Sequence, residues 1–127
     1  MTDILEKRIG SRKRTMEVED IREEVVYTKD HQKEIPKIVF ICKDSMGKFE
    51  IDDAIISGRK GIEIKGLWFT PDNLGNIAGN TTLAKVMKYY KVSTLKEMIG
   101  KEVELFPKPG DYLVIVATDF NETELDW

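Results

Sequence analysis

Apolar and charged residues alternate along the N-terminal part of the chain, and a period of two is typical of β-strands. The segment RTMEVEDIREEVVYT places Met16, Val18, Val25 and Tyr27 among charged residues. It predicts an edge strand that is interrupted near Asp20. The apolar run KIVFICK predicts a second strand, and FEIDDAII extends the same sheet as a second arm, with turns at DHQKEIP and DSMGK.

The segment GIEIKGLWFT alternates again and predicts a long strand with Gly66 inside it. A glycine within a strand often marks a bulge or a sharp bend. With regular alternation Trp68 faces the core and Phe69 faces solvent, whereas a bulge at Gly66 reverses the two. The pattern therefore predicts that one of these two rings is exposed.

A helical period appears once, in TTLAKVMKYY, where Leu83, Val86, Met87 and Tyr90 recur on one face. Asn80 or Thr81 is the expected N-cap. A second, short helix is predicted in STLKEMIG, because its threonine and glutamate have the spacing of a capping box and a glycine follows. Two strands, KEVELF and YLVIVAT, complete the predicted elements.

This order of strands around one helix, and the run LAKVMKYYKVSTLKEMIGKEVELFPKPGDYLVIV, resemble small OB-fold domains of the phage and archaeal type. The resemblance implies a mainly β fold, namely a five-stranded Greek-key barrel with one helix between strands 3 and 4, over residues 15–118. A basic arm at 1–14 precedes the barrel, and an acidic tail at 119–127 follows it. A split β-sandwich and an SH3-like barrel remain alternatives.

The composition fits one globular domain of 127 residues with a heavily charged surface. Abundant lysine and glutamate with a single glutamine are typical of proteins from hot environments. The lone Cys42 lies in an apolar run, so we expect a buried thiol and no disulfide. No apolar stretch approaches the ~20 residues of a membrane span, and no signal peptide is evident. We expect a soluble, cytoplasmic protein without membrane contact.

The net charge of −3 is unevenly distributed along the chain. Residues 1–14 carry five basic and two acidic side chains, whereas residues 119–127 carry four acidic side chains and no basic one. Local patches decide partners more than totals do. An acidic total therefore does not exclude nucleic acid as a partner.

Catalytic motifs are not evident in the sequence. His31 is the single histidine and lies in a polar turn, and no nucleophile has a partner at motif spacing. Asp52 and Asp53 are adjacent, so on a strand they point to opposite faces and are interpreted as solvated charge. We expect a protein that is not an enzyme and needs no metal or cofactor.

Binding of single-stranded nucleic acid requires a cationic groove and aromatic faces on which bases stack. By resemblance to the OB-fold, that surface is built from residues 37–43 and 60–70, flanked by the loops SMGK and PKPGD. Alternation places Phe40 in the core and leaves Lys37 and Lys43 on the other face. The candidate nucleic-acid-binding residues are Lys37, Lys43, Lys48, Arg59, Lys60, Lys65, Trp68, Phe69 and Tyr112.

The C-terminal segment DFNETELDW is similar to the acidic, aromatic-ended tails of many single-stranded-DNA-binding proteins. In that setting Phe120, Leu125, Asp126 and Trp127 bind a protein partner. The alternative is that the apolar side chains pack back onto the barrel or onto the second copy of a homodimer.

These observations predict a non-catalytic protein that binds single-stranded nucleic acid, with DNA favoured, in replication or repair. Lysine–phosphate contacts and base–aromatic stacking supply the affinity. The alternative is a protein-interaction module, or a subunit of a viral or archaeal complex that does not bind nucleic acid.

Overall fold

A computed structural model describes residues 12–30, 32–110, 112–121 and 125 of the chain. The described part is mainly β, as predicted. Its strands are β1 (Arg14–Thr28), β2 (Lys33–Asp44), β3 (Gly47–Ile51), β4 (Asp53–Gly58), β5 (Gly61–Gly66), β6 (Glu102–Lys108) and β7 (Tyr112–Val116). One α-helix, α1 (Thr82–Tyr89), and one 3₁₀ helix (Leu95–Met98) lie between β5 and β6.

The seven strands form one mixed sheet in the order β3-β2-β1-β6-β7-β4-β5. All neighbours are antiparallel except β4 and β7, which are parallel. The expectation of five strands closed into a barrel, with the helix between strands 3 and 4, is thereby corrected to seven strands in a sheet, with the helix after β5. The added strands arise because the predicted arm FEIDDAII is interrupted at Asp52 and its second half forms a hairpin with β5.

The first strand is continuous, although the sequence predicted an interruption near Asp20. Its pairing with β2 shifts register between Val18 and Asp20, which leaves Glu19 as a bulge rather than a break. A bulge adds one residue to one strand and bends it locally. Beyond this bulge β1 pairs with β2 alone, because its register with β6 covers only Arg14 to Glu17.

Two apolar clusters cover the two faces of the sheet. The helix-side core includes Met16, Phe40, Leu67, Leu83 and Ile115, all essentially inaccessible to solvent. The tail-side cluster on the other face consists of Ile55, Phe106, Val114, Val116 and Phe120, with Ile62, Ile64 and Leu125 packed against it. The neighbouring strands β4 and β7 are therefore buried on both faces.

The helical predictions are confirmed in detail. The Thr81 hydroxyl accepts a hydrogen bond from the Ala84 N–H at 3.2 Å and so caps α1, which buries Leu83, Val86 and Met87. Such a cap satisfies one of the N–H groups that a helix leaves unpaired at its start. The second helix is a single 3₁₀ turn capped by Thr94.

Cys42 is buried, as predicted, and burial raises the pKa of its thiol to about 12. A buried neutral thiol behaves as a small apolar side chain. In the described part of the chain no helix has both the length and the apolar character needed to cross a membrane.

Candidate nucleic-acid interface

Lys37 and Trp68 lie side by side because β2 pairs with the segment that follows β5. The two residues form an antiparallel bridge. On either side of it the Ile38 N–H donates to the Leu67 carbonyl at 2.8 Å, and the Phe69 N–H donates to the Pro36 carbonyl at 2.9 Å. The Lys37 ammonium lies 4.8 Å from the centre of the Trp68 ring, which is a cation–π distance.

Gly66 makes room for the Trp68 indole. A Cβ at this position would lie 2.7 Å from the indole Nε1, too close for any side chain. Gly66 is the last residue of β5, and no bulge is needed there to orient the rings. Alternation instead continues regularly, with Leu67 buried in the helix-side core and Trp68 on the opposite face.

A second lysine–aromatic pair lies at the turn between β6 and β7. The Lys108 ammonium lies 5.5 Å from the centre of the Tyr112 ring. That ring stays 66% exposed and passes over Gly110, where a Cβ would lie 3.2 Å from it. The glycine thus allows an open aromatic face at the tip of this hairpin.

Asp53 connects the two pairs. Its carboxylate accepts hydrogen bonds from Lys37 at 3.4 Å and from Lys108 at 3.1 Å. We call Lys37, Asp53, Trp68, Lys108 and Tyr112 the lysine–aromatic cluster. Strand alternation places this cluster and the tail-side cluster on the same face of the sheet.

The chemistry of the lysine–aromatic cluster suits a planar, partly charged ligand. The exposed tyrosine ring and the half-buried indole offer stacking surfaces, and stacking of a base is worth ~1–3 kcal/mol. Asp52 also lies 3.4 Å from the Lys37 ammonium, so the two lysines are balanced by two carboxylates. An incoming phosphate must therefore compete with these carboxylates for the ammonium groups.

The predicted groove lysines Lys43 and Lys48 lie apart from this cluster and are also paired. The Lys48 ammonium lies 2.8 Å from the Glu19 carboxylate, and Lys43 lies 3.5 Å from Glu17 and 3.7 Å from Glu19. The hydrogen bond from Lys48 lowers the pKa of Glu19. The carboxylates come from β1, which runs beside β2, so this part of the groove carries little net positive charge.

Arg59, Lys60 and Lys65 are brought together, but beside α1 rather than in the predicted groove. With Lys85 they line a cleft of about 400 Å³. We call these four cations and their surroundings the basic cleft. Helical spacing alone does not show that the tip of the β4–β5 hairpin lies opposite Lys85.

The Phe69 ring is half-buried, like the Trp68 ring, but it lies on the helix side of the sheet and away from the lysine–aromatic cluster. Its ring packs against the helix-side core and lines a second cavity of about 450 Å³ with Ile77, Met87 and Leu95. Of the two rings at this strand end, Trp68 lies on the face of the candidate site and Phe69 on the helix side.

The C-terminal segment folds back onto the sheet as far as it is described. Phe120 is buried against Phe106 in a T-shaped contact with ring centres 5.3 Å apart, and Leu125 packs on the same tail-side cluster. The Lys13 ammonium lies 4.8 Å from the centre of the Phe120 ring. These contacts agree with the packing alternative for Phe120 and Leu125, whereas Asp126 and Trp127 lie outside the described residues.

Sequence reasoning missed Asp53 and Lys108. Asp53 was interpreted as solvated charge because adjacent residues on a strand diverge, but the strand is interrupted at Asp52, and both carboxylates reach Lys37. Lys108 could have been found from its position in the predicted turn PKPGD, which directly precedes Tyr112. Within the described ranges, no group of three or more potential ligands is arranged to hold a metal ion.

Comparisons of the chain with protein-family models, with curated proteins and with solved structures found no match.

Proposed function

We propose that this protein is a non-catalytic single-stranded nucleic-acid-binding protein, with DNA as the favoured ligand. The observation that carries the proposal is the lysine–aromatic cluster, in which Asp53 joins two lysine–ring pairs. Bases stack on Tyr112 and on the accessible part of Trp68. Lys37 and Lys108 exchange their carboxylate partners for phosphate oxygens as the strand binds.

Asp53 has a second role in this proposal. Once its lysines turn toward phosphate, the carboxylate is free to accept hydrogen bonds from the exocyclic amino groups of bases. Carboxylates make such contacts with the amino group of cytosine. The cluster thereby combines a stacking surface, cations and an acceptor without any catalytic group.

The strand pairings support an OB-like interpretation of the fold. When β3 and β4 are treated as one strand interrupted at Asp52, the pairings β1–β2, β2–β3, β4–β7, β7–β6 and β6–β1 join five strands in a circuit. The helix then follows the third of these strands, and β5 is an addition. In such a fold the β6–β7 turn, which bears Tyr112, flanks the ligand groove.

The substitution Tyr112→Ala tests the proposal directly. We expect the affinity for a fluorescently labelled (dT)15, measured by anisotropy at two salt concentrations, to fall about 5- to 150-fold, the equivalent of one lost base stack. The affinity of the unaltered protein should itself fall steeply with salt. The matched control is Tyr27→Ala, because Tyr27 is similarly exposed, at 59%, but lies on the β1–β2 hairpin.

Equal affinity of both variants and the unaltered protein would contradict stacking at this cluster. Absence of binding at low salt would favour the protein-interaction alternative. One feature supports that alternative, namely the exposed apolar side chains of Val25 and Tyr27 on the half of β1 that pairs with β2 alone. If the same sample then sediments as a dimer or larger assembly, the β1–β2 hairpin is the first contact surface to examine.

A further inference from the structure

The basic cleft is a concentration of positive charge that the proposed stacking site does not use. Arg59, Lys60, Lys65 and Lys85 contribute four cations, and Glu63 is the single carboxylate among its lining residues. Within the described ranges, Arg59, Lys60 and Lys65 form no ion pair with another side chain. This contrasts with Lys37, Lys43, Lys48 and Lys108, each of which lies within 3.5 Å of a carboxylate.

The β4–β5 hairpin builds one wall of the cleft. Arg59 and Lys60 form its tip between Gly58 and Gly61, and Gly61 has a φ of +107°, which residues with a side chain rarely adopt. The Glu63 carboxylate occupies the space that a side chain at Gly58 would need. The tip therefore carries two exposed cations, while the one nearby carboxylate lies against the backbone of the hairpin at Gly58.

The start of α1 builds the opposite wall. Asn80, Thr82 and Lys85 line the cleft here, and the first turn of α1 contains no acidic residue. The Lys85 ammonium donates to the Ser57 carbonyl at 3.3 Å, which positions the charge between helix and hairpin. A helix N-terminus carries partial positive charge, so a lysine in its first turn is unfavourable unless an anion is nearby.

We propose that the basic cleft binds a phosphate group. The like charges of the cleft repel one another and the helix N-terminus, and a bound dianion relieves both repulsions. Hydroxyl and amide groups at Thr82 and Asn80 supply neutral donors beside the cations. Oxygen atoms of phosphate esters fit this donor set, whether they belong to an internal phosphodiester or to a terminal phosphate.

The cleft and the lysine–aromatic cluster are connected through β5. Lys65 and Trp68 are three positions apart in the sequence, which is about 10 Å of extended chain, and alternation directs them to opposite faces of the sheet. Because β5 is an edge strand of the sheet, one oligonucleotide can contact both sites only by passing around this edge. Binding of one oligonucleotide to both sites rests on the proposed function, whereas phosphate binding by the cleft itself does not.

Titration of the ¹⁵N-labelled full chain with pyrophosphate, followed by amide chemical shifts, tests the cleft without any base. We expect the largest shifts at Gly58, Gly61 and Thr82. The double substitution Lys60→Gln with Lys65→Gln should weaken pyrophosphate binding about tenfold or more, because each removes a charge-assisted hydrogen bond. The matched control, Lys96→Gln with Lys101→Gln, removes the same charge away from the cleft and should leave binding nearly unchanged.

A second experiment measures the binding of (dT)12 that carries either a 5′-hydroxyl or a 5′-phosphate. If the cleft substitutions weaken both oligonucleotides equally, the cleft takes an internal phosphodiester; if they weaken the phosphorylated one alone, it takes a terminal phosphate. Pyrophosphate binding without any oligonucleotide binding would support the cleft while rejecting the proposed function. Shifts that avoid the cleft, or equal weakening by cleft and control substitutions, would overturn the inference.

Discussion

The Tyr90 hydroxyl joins the two strands that follow the helix. It donates a hydrogen bond to the Val116 carbonyl at 2.6 Å and accepts one from the Glu104 N–H at 3.0 Å. Burial raises the pKa of this phenol, so the group stays a neutral donor and acceptor across the usual range of pH. Helical periodicity alone assigned Tyr90 to the apolar face, yet its polar atom is what bridges β6 and β7.

The substitution Tyr90→Phe should lower the free energy of unfolding by about 1–3 kcal/mol, because it leaves two backbone groups without their partner. Urea unfolding followed by circular dichroism measures the change. Tyr89→Phe is the matched control, since its hydroxyl makes one long contact, 3.5 Å to Asp119, near solvent. Equal stability of both variants would show that the bridge contributes nothing.

Single residues differed in how far the sequence determined them. Cys42, Thr81 and Gly100 followed from local rules on burial, capping and helix termination, and Gly100 indeed has a φ of +91°. The partners of Lys37 could not be predicted from local rules, because they depend on where β4 and the segment after β5 lie in space. Periodicity gives the face of a residue, but it does not give the charge on the strand beside it.

Among the elements, the strands β1, β2 and β3 carry Lys43 and Lys48 of the predicted groove. How these strands pair determines how much positive charge is available there for a polyanion. Every strand was anticipated at least in part, since alternation is strong in this chain. The sequence did not predict the interruption at Asp52 or the register shift at Glu19. Both depend on hydrogen bonds from distant segments, such as the one from the Leu67 N–H to the Asp52 carbonyl. The shift at Glu19 brings its carboxylate to Lys43 and Lys48.

The substitution Glu19→Gln should release Lys48 for phosphate contacts, while Lys43 keeps Glu17 as a carboxylate partner. We expect tighter binding of (dT)15 and a salt dependence of log K that steepens by about 0.7 for each phosphate gained. Anisotropy titrations at four salt concentrations measure both. Glu50→Gln is the control for net charge, because Glu50 pairs with Arg22 at 2.6 Å instead. If this control has the same effect on binding, the released Lys48 makes no specific contact.

At the scale of the whole molecule, the described residues at the two ends of the chain meet on the tail-side face. Arg12 lies 4.8 Å from the centre of the Phe106 ring, and Lys13 lies at the same distance from that of Phe120. The sequence assigned opposite charges to these segments, but it gave no means of deciding between a tail that binds a partner and a tail that packs on its own sheet. That choice depends on the apolar surface that Ile55, Val114 and their neighbours form on the tail-side face of β4 and β7.

The substitution Phe120→Ala separates these two roles of the tail. If Phe120 is part of the fold, its loss opens a cavity beside Phe106 and should lower the free energy of unfolding by about 2–4 kcal/mol in urea. Tyr27→Ala removes an exposed ring and should stay within about 0.5 kcal/mol of the unaltered protein. Unchanged stability of Phe120→Ala would instead mean that the segment leaves the sheet at little cost, as a partner-binding tail must.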